Sequence, residues 1–269
     1  MTSLPLLTDQ PTRHPGCCLS LSLPLLDTIR VLLGSIPVIT QSTDVTTNRK
    51  SRDECASVLL QSALVLSIGS GTGLLEELLH AYLKRDSHPT PNDPISIDSW
   101  RVEGVEVNPA VNAHLPEDRI NHVAGTWAVL ESRARDATAL MFVYPRDGAL
   151  VRRYVDAFMR PAGHHESMDE DQQEGGGKYE GGNESEVKRA NQVVKRHENR
   201  GEDSTETRST SHKEVHLALW LGPKCDWEDT GFGSFSGSDE FEVLDMLGDV
   251  GLAEYEMLAA LRRKTITSK

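Results

Sequence analysis

Gly69, Gly71 and Gly73, spaced two apart, close one apolar run. A carboxylate, Glu106, stands near the end of the next apolar run, 33 residues after Gly73. A bend of this kind lets backbone approach a ligand where any Cβ would hold it away, and glycine tolerates the positive φ such turns need. A carboxylate at a neighbouring strand end can accept hydrogen bonds from two ribose hydroxyls. Together these residues, with Ser70 inside the bend, fit a nucleotide-like ligand at the carboxyl end of a parallel sheet. The 33-residue separation exceeds the roughly twenty of the compact dinucleotide fold. The proline-rich stretch 86–98 accounts for the excess. A solvated strand-end carboxylate is the plainer reading of Glu106, and the upstream glycines favour the ribose contact.

Other chemistry-bearing residues follow later apolar runs. Tyr144 ends the run 139–144, Arg146 and Asp147 follow it, and the three are candidates to face a second substrate. Arg146 has the fork to hold a carboxylate or phosphate. Asp147 is either a base or the cap of a helix opening at Gly148, the cap being preferred. Trp127 lies against an aromatic ligand face or packs in the core. The segment 220–229, with Trp220, Trp227 and several acids, is either a substrate wall or surface decoration. His164 and His165 are adjacent but bring no further ligands, and the four cysteines have no zinc spacing, so no metal site is expected.

These residues require strands alternating with helices. Apolar runs at 63–68, 100–107, 120–123, 139–144 and 214–221 read as strands, the fourth buried on both faces. Leu74, Leu75, Leu78, Leu79, Tyr82 and Leu83 recur at helical spacing, as do Leu150, Val151, Tyr154, Val155 and Phe158. Phe241, Leu244, Met246 and Leu247 are expected on a helix starting near Asp239, and 255–263 as a last strand or helix. The pattern predicts an α/β fold, Rossmann-like, with a mostly parallel sheet and helices on both faces. The right-handed crossover rule sets the first two strands side by side.

Three regions are expected in the chain. Residues 1–50 are an N-terminal extension, loose over 1–18, with one amphipathic helix over about 24–34 covering the cleft or a sheet edge. The main domain is 51–163 with 214–269, opening on a capping box at Ser51–Glu54. Residues 164–213 are charged and polar with few large apolar groups. They are expected to be a disordered insertion, either a bland loop or a binding segment. The 269-residue chain carries a net charge of −13, which argues against nucleic acid as a general partner. Cysteine usage suits a reducing intracellular compartment, cytoplasmic or nuclear. Charges and prolines interrupt the apolar stretch 19–39, so no membrane span is expected.

A phosphate-loop NTPase needs Gly-Lys-Ser/Thr, and Gly73 is followed by Leu74. A nicotinamide or flavin site wants Gly-x-Gly-x-x-Gly, with glycine at position 74. The run Gly69-x-Gly71-x-Gly73, with Glu106 in Gly-Val-Glu-Val-Asn-Pro, instead resembles motif I and the following acidic strand end of the class I S-adenosylmethionine-dependent methyltransferases. The chain is also similar to a fungal methyltransferase-like group of unassigned substrate, sharing Val-Tyr-Pro-Arg and Trp-Leu-Gly-Pro segments. The resemblance covers about 60–160 and 214–265. It implies a class I methyltransferase fold and S-adenosyl-L-methionine as cofactor. It implies cofactor contacts from Gly69, Ser70, Gly71, Gly73, Glu106 and Trp127, and a small-molecule or protein methyl acceptor. The chain departs from the family pattern at three places. Ser67 stands where an aspartate is common. Ala124-Gly125-Thr126-Trp127 lacks the acid usual near the adenine. Tyr144-Pro145-Arg146-Asp147 is not the Asp/Asn-Pro-Pro-Tyr/Phe motif. A non-catalytic methyltransferase-like binding or regulatory protein is therefore the alternative.

Overall fold

The computed structural model describes residues 3–36, 63–85, 100–160, 215–246 and 250–264. The expected capping box at 51–54, the loop 86–98 and the insertion 164–213 lie outside the described residues.

The first chain segment is more ordered than its proline content suggests. Strands β1 (Thr12–Arg13) and β2 (Ser20–Leu21) pair antiparallel as a short hairpin. The expectation that 1–18 is loose is corrected over 3–18: Leu7, Leu19 and Leu21 are buried, so the segment is fastened by leucines flanking its polar tip. Helix α1 (Leu23–Gly34) follows at once. Ser22 caps it, its hydroxyl accepting from the Leu25 amide at 3.2 Å, and Pro24 occupies the first turn, where a missing N–H costs nothing. Leu25, Leu26, Ile29, Leu32 and Leu33 form its buried stripe.

Strand β3 (Ala63–Ile68) leads through the glycine bend into α2 (Leu74–Arg85). Strand β4 (Trp100–Glu106) lies parallel beside β3, with Ile68 opposite Val105. Strand β5 (Ile120–His122), helix α3 (Glu131–Asp136), strand β6 (Ala139–Val143) and helix α4 (Gly148–Phe158) come next. Strand β7 (Leu217–Pro223), a short helix α5 (Trp227–Thr230), and strands β8 (Phe241–Met246) and β9 (Glu256–Arg263) complete the described chain.

These strands make a seven-stranded sheet in the order β5-β4-β3-β6-β7-β9-β8. All neighbours are parallel up to β7, and β9 runs antiparallel to both β7 and β8. The protein is thus α/β with a mostly parallel sheet, compatible with a Rossmann-like fold, and β3 and β4 are neighbours as the crossover rule requires.

The segment expected as a helix near 239–247 is a strand over Phe241–Met246. Phe241 and Val243 join the core on one sheet face while Leu244 joins that on the other. That is period two, which a four-residue apolar sample does not separate from helical spacing. Pairing with β9 decides it.

Two cores flank the sheet. One joins α1, α2 and the N-terminal leucines to Val65, Met141, Leu219 and Leu258. The other holds α3 and α4 with Phe232 and Phe235 against Leu66, Phe142, Trp220 and Ala259. Strand β7 supplies both, Leu217, Leu219 and Leu221 to one and Ala218 and Trp220 to the other. An apolar run buried on two faces is the mark of an inner strand.

Candidate functional site

Gly69, Gly71 and Gly73 all take positive φ, at +82°, +56° and +77°. Their surroundings differ. A Cβ on Gly73 would lie 2.7 Å from the Leu115 side chain and 3.0 Å from Asn112 Oδ1, so its bareness admits the loop after β4. A Cβ on Gly69 would stand 3.3 Å from the Val143 carbonyl at the end of β6. Gly71 alone of the three faces open space, with nothing within 4 Å of its absent side chain.

Glu106, the last residue of β4, turns toward the bend. Its Oε2 accepts from the Gly71 amide at 2.9 Å. Its Oε1 accepts from the amides of Val107 at 2.8 Å and Asn108 at 3.2 Å. An ionised carboxylate has about four acceptor positions. Three backbone N–H groups use three of them, which leaves one on Oε2 at the rim of the bend. The sequence reading brings Gly71 and Glu106 to one place, and the fold joins them directly, because β3 and β4 pair in register up to that edge.

The other candidates are distributed around the same edge. Ser70 is buried, its hydroxyl has no partner, and it lies 2.5 Å from where a Cβ on Gly104 would be. Its side chain therefore packs into the sheet, and its amide donates to the Val105 carbonyl at 3.2 Å. Trp127 is 64% exposed, its ring lying over Gly125, so core packing does not describe it. Val107 and Val111, in the loop that follows Glu106, are also exposed apolar groups.

Tyr144 has φ +49°, a left-handed conformation that costs an L-residue of this size about 1–3 kcal/mol and is held only where surroundings over-determine it. Its amide donates to the Leu221 carbonyl at 2.7 Å and its hydroxyl to Glu256 Oε1 at 2.6 Å. Burial first, and then the Glu256 carboxylate, push the Tyr144 phenol above its ordinary range. Arg146 is exposed. Asp147 is the cap of α4: its Oδ1 accepts from the Ala149 amide at 2.9 Å, and Arg153 approaches Oδ2 at 3.6 Å. The capping reading describes this residue.

The 220–229 segment is neither wall nor bare decoration. Trp220 is fully buried, its indole N–H donating to Thr230 Oγ1 at 3.3 Å, and Trp227 meets it edge-on at 5.2 Å between ring centroids. Cys225 is exposed and its thiol donates to Asp226, which raises its pKa.

Two carboxylates at this edge carry no sequence motif. Glu76, in the first turn of α2, is buried. Ser67 Oγ donates to its Oε1 at 2.6 Å, and its Oε2 has no partner. Burial pushes this carboxyl up to about 7, the Ser67 hydrogen bond working against the rise and nearby Glu106 adding to it. A glutamate among leucines on the buried stripe of α2 was the available signal, since an unpaired acid there breaks the apolar period. Glu256, at the start of β9, is buried and accepts from the Ser20 amide at 3.2 Å on both oxygens and from the Ala253 amide at 3.3 Å. Its partners are far apart in sequence, so no local pattern announces it.

Among the described residues no group of three or more His, Cys, Asp and Glu could hold a metal ion. No helix among them is long and apolar enough to cross a membrane. No protein-family model matches this chain, and no curated protein matches it either.

Proposed function

We propose that this protein is an S-adenosyl-L-methionine-dependent methyltransferase of the class I type, acting on a small molecule or a protein. The observation that carries the reading is the Gly71–Glu106 pair. An open backbone bend and a carboxylate with a spare acceptor position meet at adjacent ends of two parallel strands. The order of the sheet sets it apart from the six-stranded dinucleotide fold, which runs 3-2-1-4-5-6. Here a reversed strand, β9, enters between β7 and β8.

The residues present suit such a ligand. The spare Glu106 position would accept from a ribose hydroxyl, while the other three hold the bend in shape for it. The space outside Gly71 admits the ligand's backbone-facing side. Exposed Val107 and Val111, in the loop that follows Glu106, and exposed Trp127, in the loop after β5, offer apolar surface for an adenine ring. When bound, the cofactor supplies an electrophilic sulfonium methyl for in-line displacement by an acceptor lone pair. The chain's contribution would be to align two reactants, the larger part of the acceleration in such a step. Tyr144, at the end of β6, is the candidate to face the acceptor.

One observation favours the second reading, a non-catalytic binding or regulatory protein. Asp147 is occupied as a helix cap and the Tyr144 hydroxyl is tied to Glu256, so neither offers a free base. Calorimetric titration with S-adenosylmethionine and its demethylated product tests both. Heat on binding is expected. No heat and no thermal shift with either ligand would remove the enzyme reading, and binding without transfer to any acceptor would favour the second.

A further inference from the structure

The N-terminal hairpin crosses the edge of the sheet that carries the bend. At its tip, Thr72 Oγ1, inside the bend, donates to the Gly16 carbonyl at 2.8 Å. A Cβ on Gly16, whose φ is +82°, would lie 2.7 Å from the Thr72 methyl. At its other side the Arg13 Nε donates to the Tyr255 hydroxyl at 2.8 Å, and the guanidinium lies 5.4 Å from the centre of that ring. Arg13 Nη2 also stands 4.0 Å from Glu256, the carboxylate that takes the Tyr144 hydroxyl. The hairpin therefore spans from the glycine bend after β3 to the start of β9, passing Tyr144 after β6.

Its fastening is uneven. Leu7 before it and Leu19 and Leu21 after it are buried, whereas Thr12, Arg13, Pro15, Gly16 and Cys18 are exposed. Within 12–18, Cys17 packs half-buried against the core and β1 pairs two residues with β2, while the exposed positions are held by a few polar contacts at the surface, and such contacts contribute little each. The exposed tip between the buried anchors opens at the least cost in this segment, and it lies against the very bend read as the ligand site.

We propose that residues 12–18 are a flap that closes on the bound adenosyl ligand, with Arg13–Tyr255 and Gly16–Thr72 as its two catches. Resting on the reading of the bend as an adenosyl site, this adds a moving part to it. Contacts that the closed tip adds to a bound ligand are lost when it opens, so ligand binding and closure favour one another.

Hydrogen–deuterium exchange on the full chain, with and without S-adenosylhomocysteine and S-adenosylmethionine, tests this beside calorimetry of the same samples. Exchange over 12–18 should be fast in the free chain and slow by about tenfold or more when ligand is bound. Arg13→Ala and Thr72→Val, which each remove one catch, should bind about three- to tenfold more weakly while the free chains keep the wild-type thermal midpoint. Heat of binding without protection at 12–18, or both variants binding as wild type, overturns the flap and leaves the ligand reading standing. Absence of heat in the wild type overturns the ligand reading and the flap with it.

Discussion

Glu106 does two things at once. It braces the bend through three backbone N–H groups, and it has one acceptor position left at the rim. Glu106→Ala should therefore weaken adenosyl-ligand binding tenfold or more and also lower stability by about 1–3 kcal/mol, because amides in the bend lose their partner. Glu106→Gln keeps one carbonyl acceptor and should fall between the two in both measurements. Gly71→Val separates the effects differently. Its Cβ meets no protein atom, but a β-branched residue at φ +56° is strained by about 1–3 kcal/mol and would fill the ligand's space. A titration in which this variant binds normally would remove the bend as the ligand site. Gly73 gives no such test, since a side chain there collides with Leu115 before any ligand is involved.

At the scale of elements, Asp147 separates two meanings of one residue. As the cap of α4 its loss in Asp147→Ala should cost about 1 kcal/mol in chemical denaturation. Asp147→Asn retains an oxygen for the Ala149 amide and should recover most of that stability. Any methyl transfer should be alike in both variants, whereas a base would be lost in each. A charge cluster centred on the buried Glu103 joins β4, β5 and α3. Glu103 accepts from Arg133 through two nitrogens, from Arg101 at 2.6 Å and from Asn121 at 3.1 Å. Burial works to raise this carboxyl, but the hydrogen bonds from Arg133, Arg101 and Asn121 outweigh it and hold it below the usual range. It ties β4, the strand that ends in Glu106, to β5 and α3.

At the scale of the molecule, two buried groups set opposing pH dependences. Glu76 has its carboxyl raised from 4.5 to about 7 by burial. The folded chain keeps that proton where the unfolded chain has released it, so stability falls as pH rises between about 4.5 and 7. His80 is lowered from 6.5 to about 4, by burial and by Arg119, Lys84 and Arg101. There the unfolded chain takes the proton first, so stability rises with pH between about 4 and 6.5. The slopes largely oppose one another over the shared window. Urea unfolding across pH should show Glu76→Gln steepening upward and His80→Gln sloping downward, each by at most about 1.4 kcal/mol per pH unit. Parallel profiles for the two variants would contradict the assignment.

The α/β class, β3 to β7, α2, α4 and the meeting of Gly71 with Glu106 were all legible in the linear chain. Glycine spacing, apolar runs and helical periodicity are local properties, and the crossover rule turns them into neighbouring strands. The β8 strand was not legible, because its few apolar residues fit two periods and pairing with β9 chose between them. Nor was the ordered hairpin, whose support comes from residues some 240 positions away at Tyr255 and Glu256. Ser70 went the same way: its burial depends on Gly104 of β4, 34 positions on, not on neighbours in sequence. Periodicity and turn chemistry thus specified where the chain bends and which strands adjoin. Burial, which depends on everything brought near from elsewhere in the chain, assigned each side chain at that edge to packing, capping or an open rim.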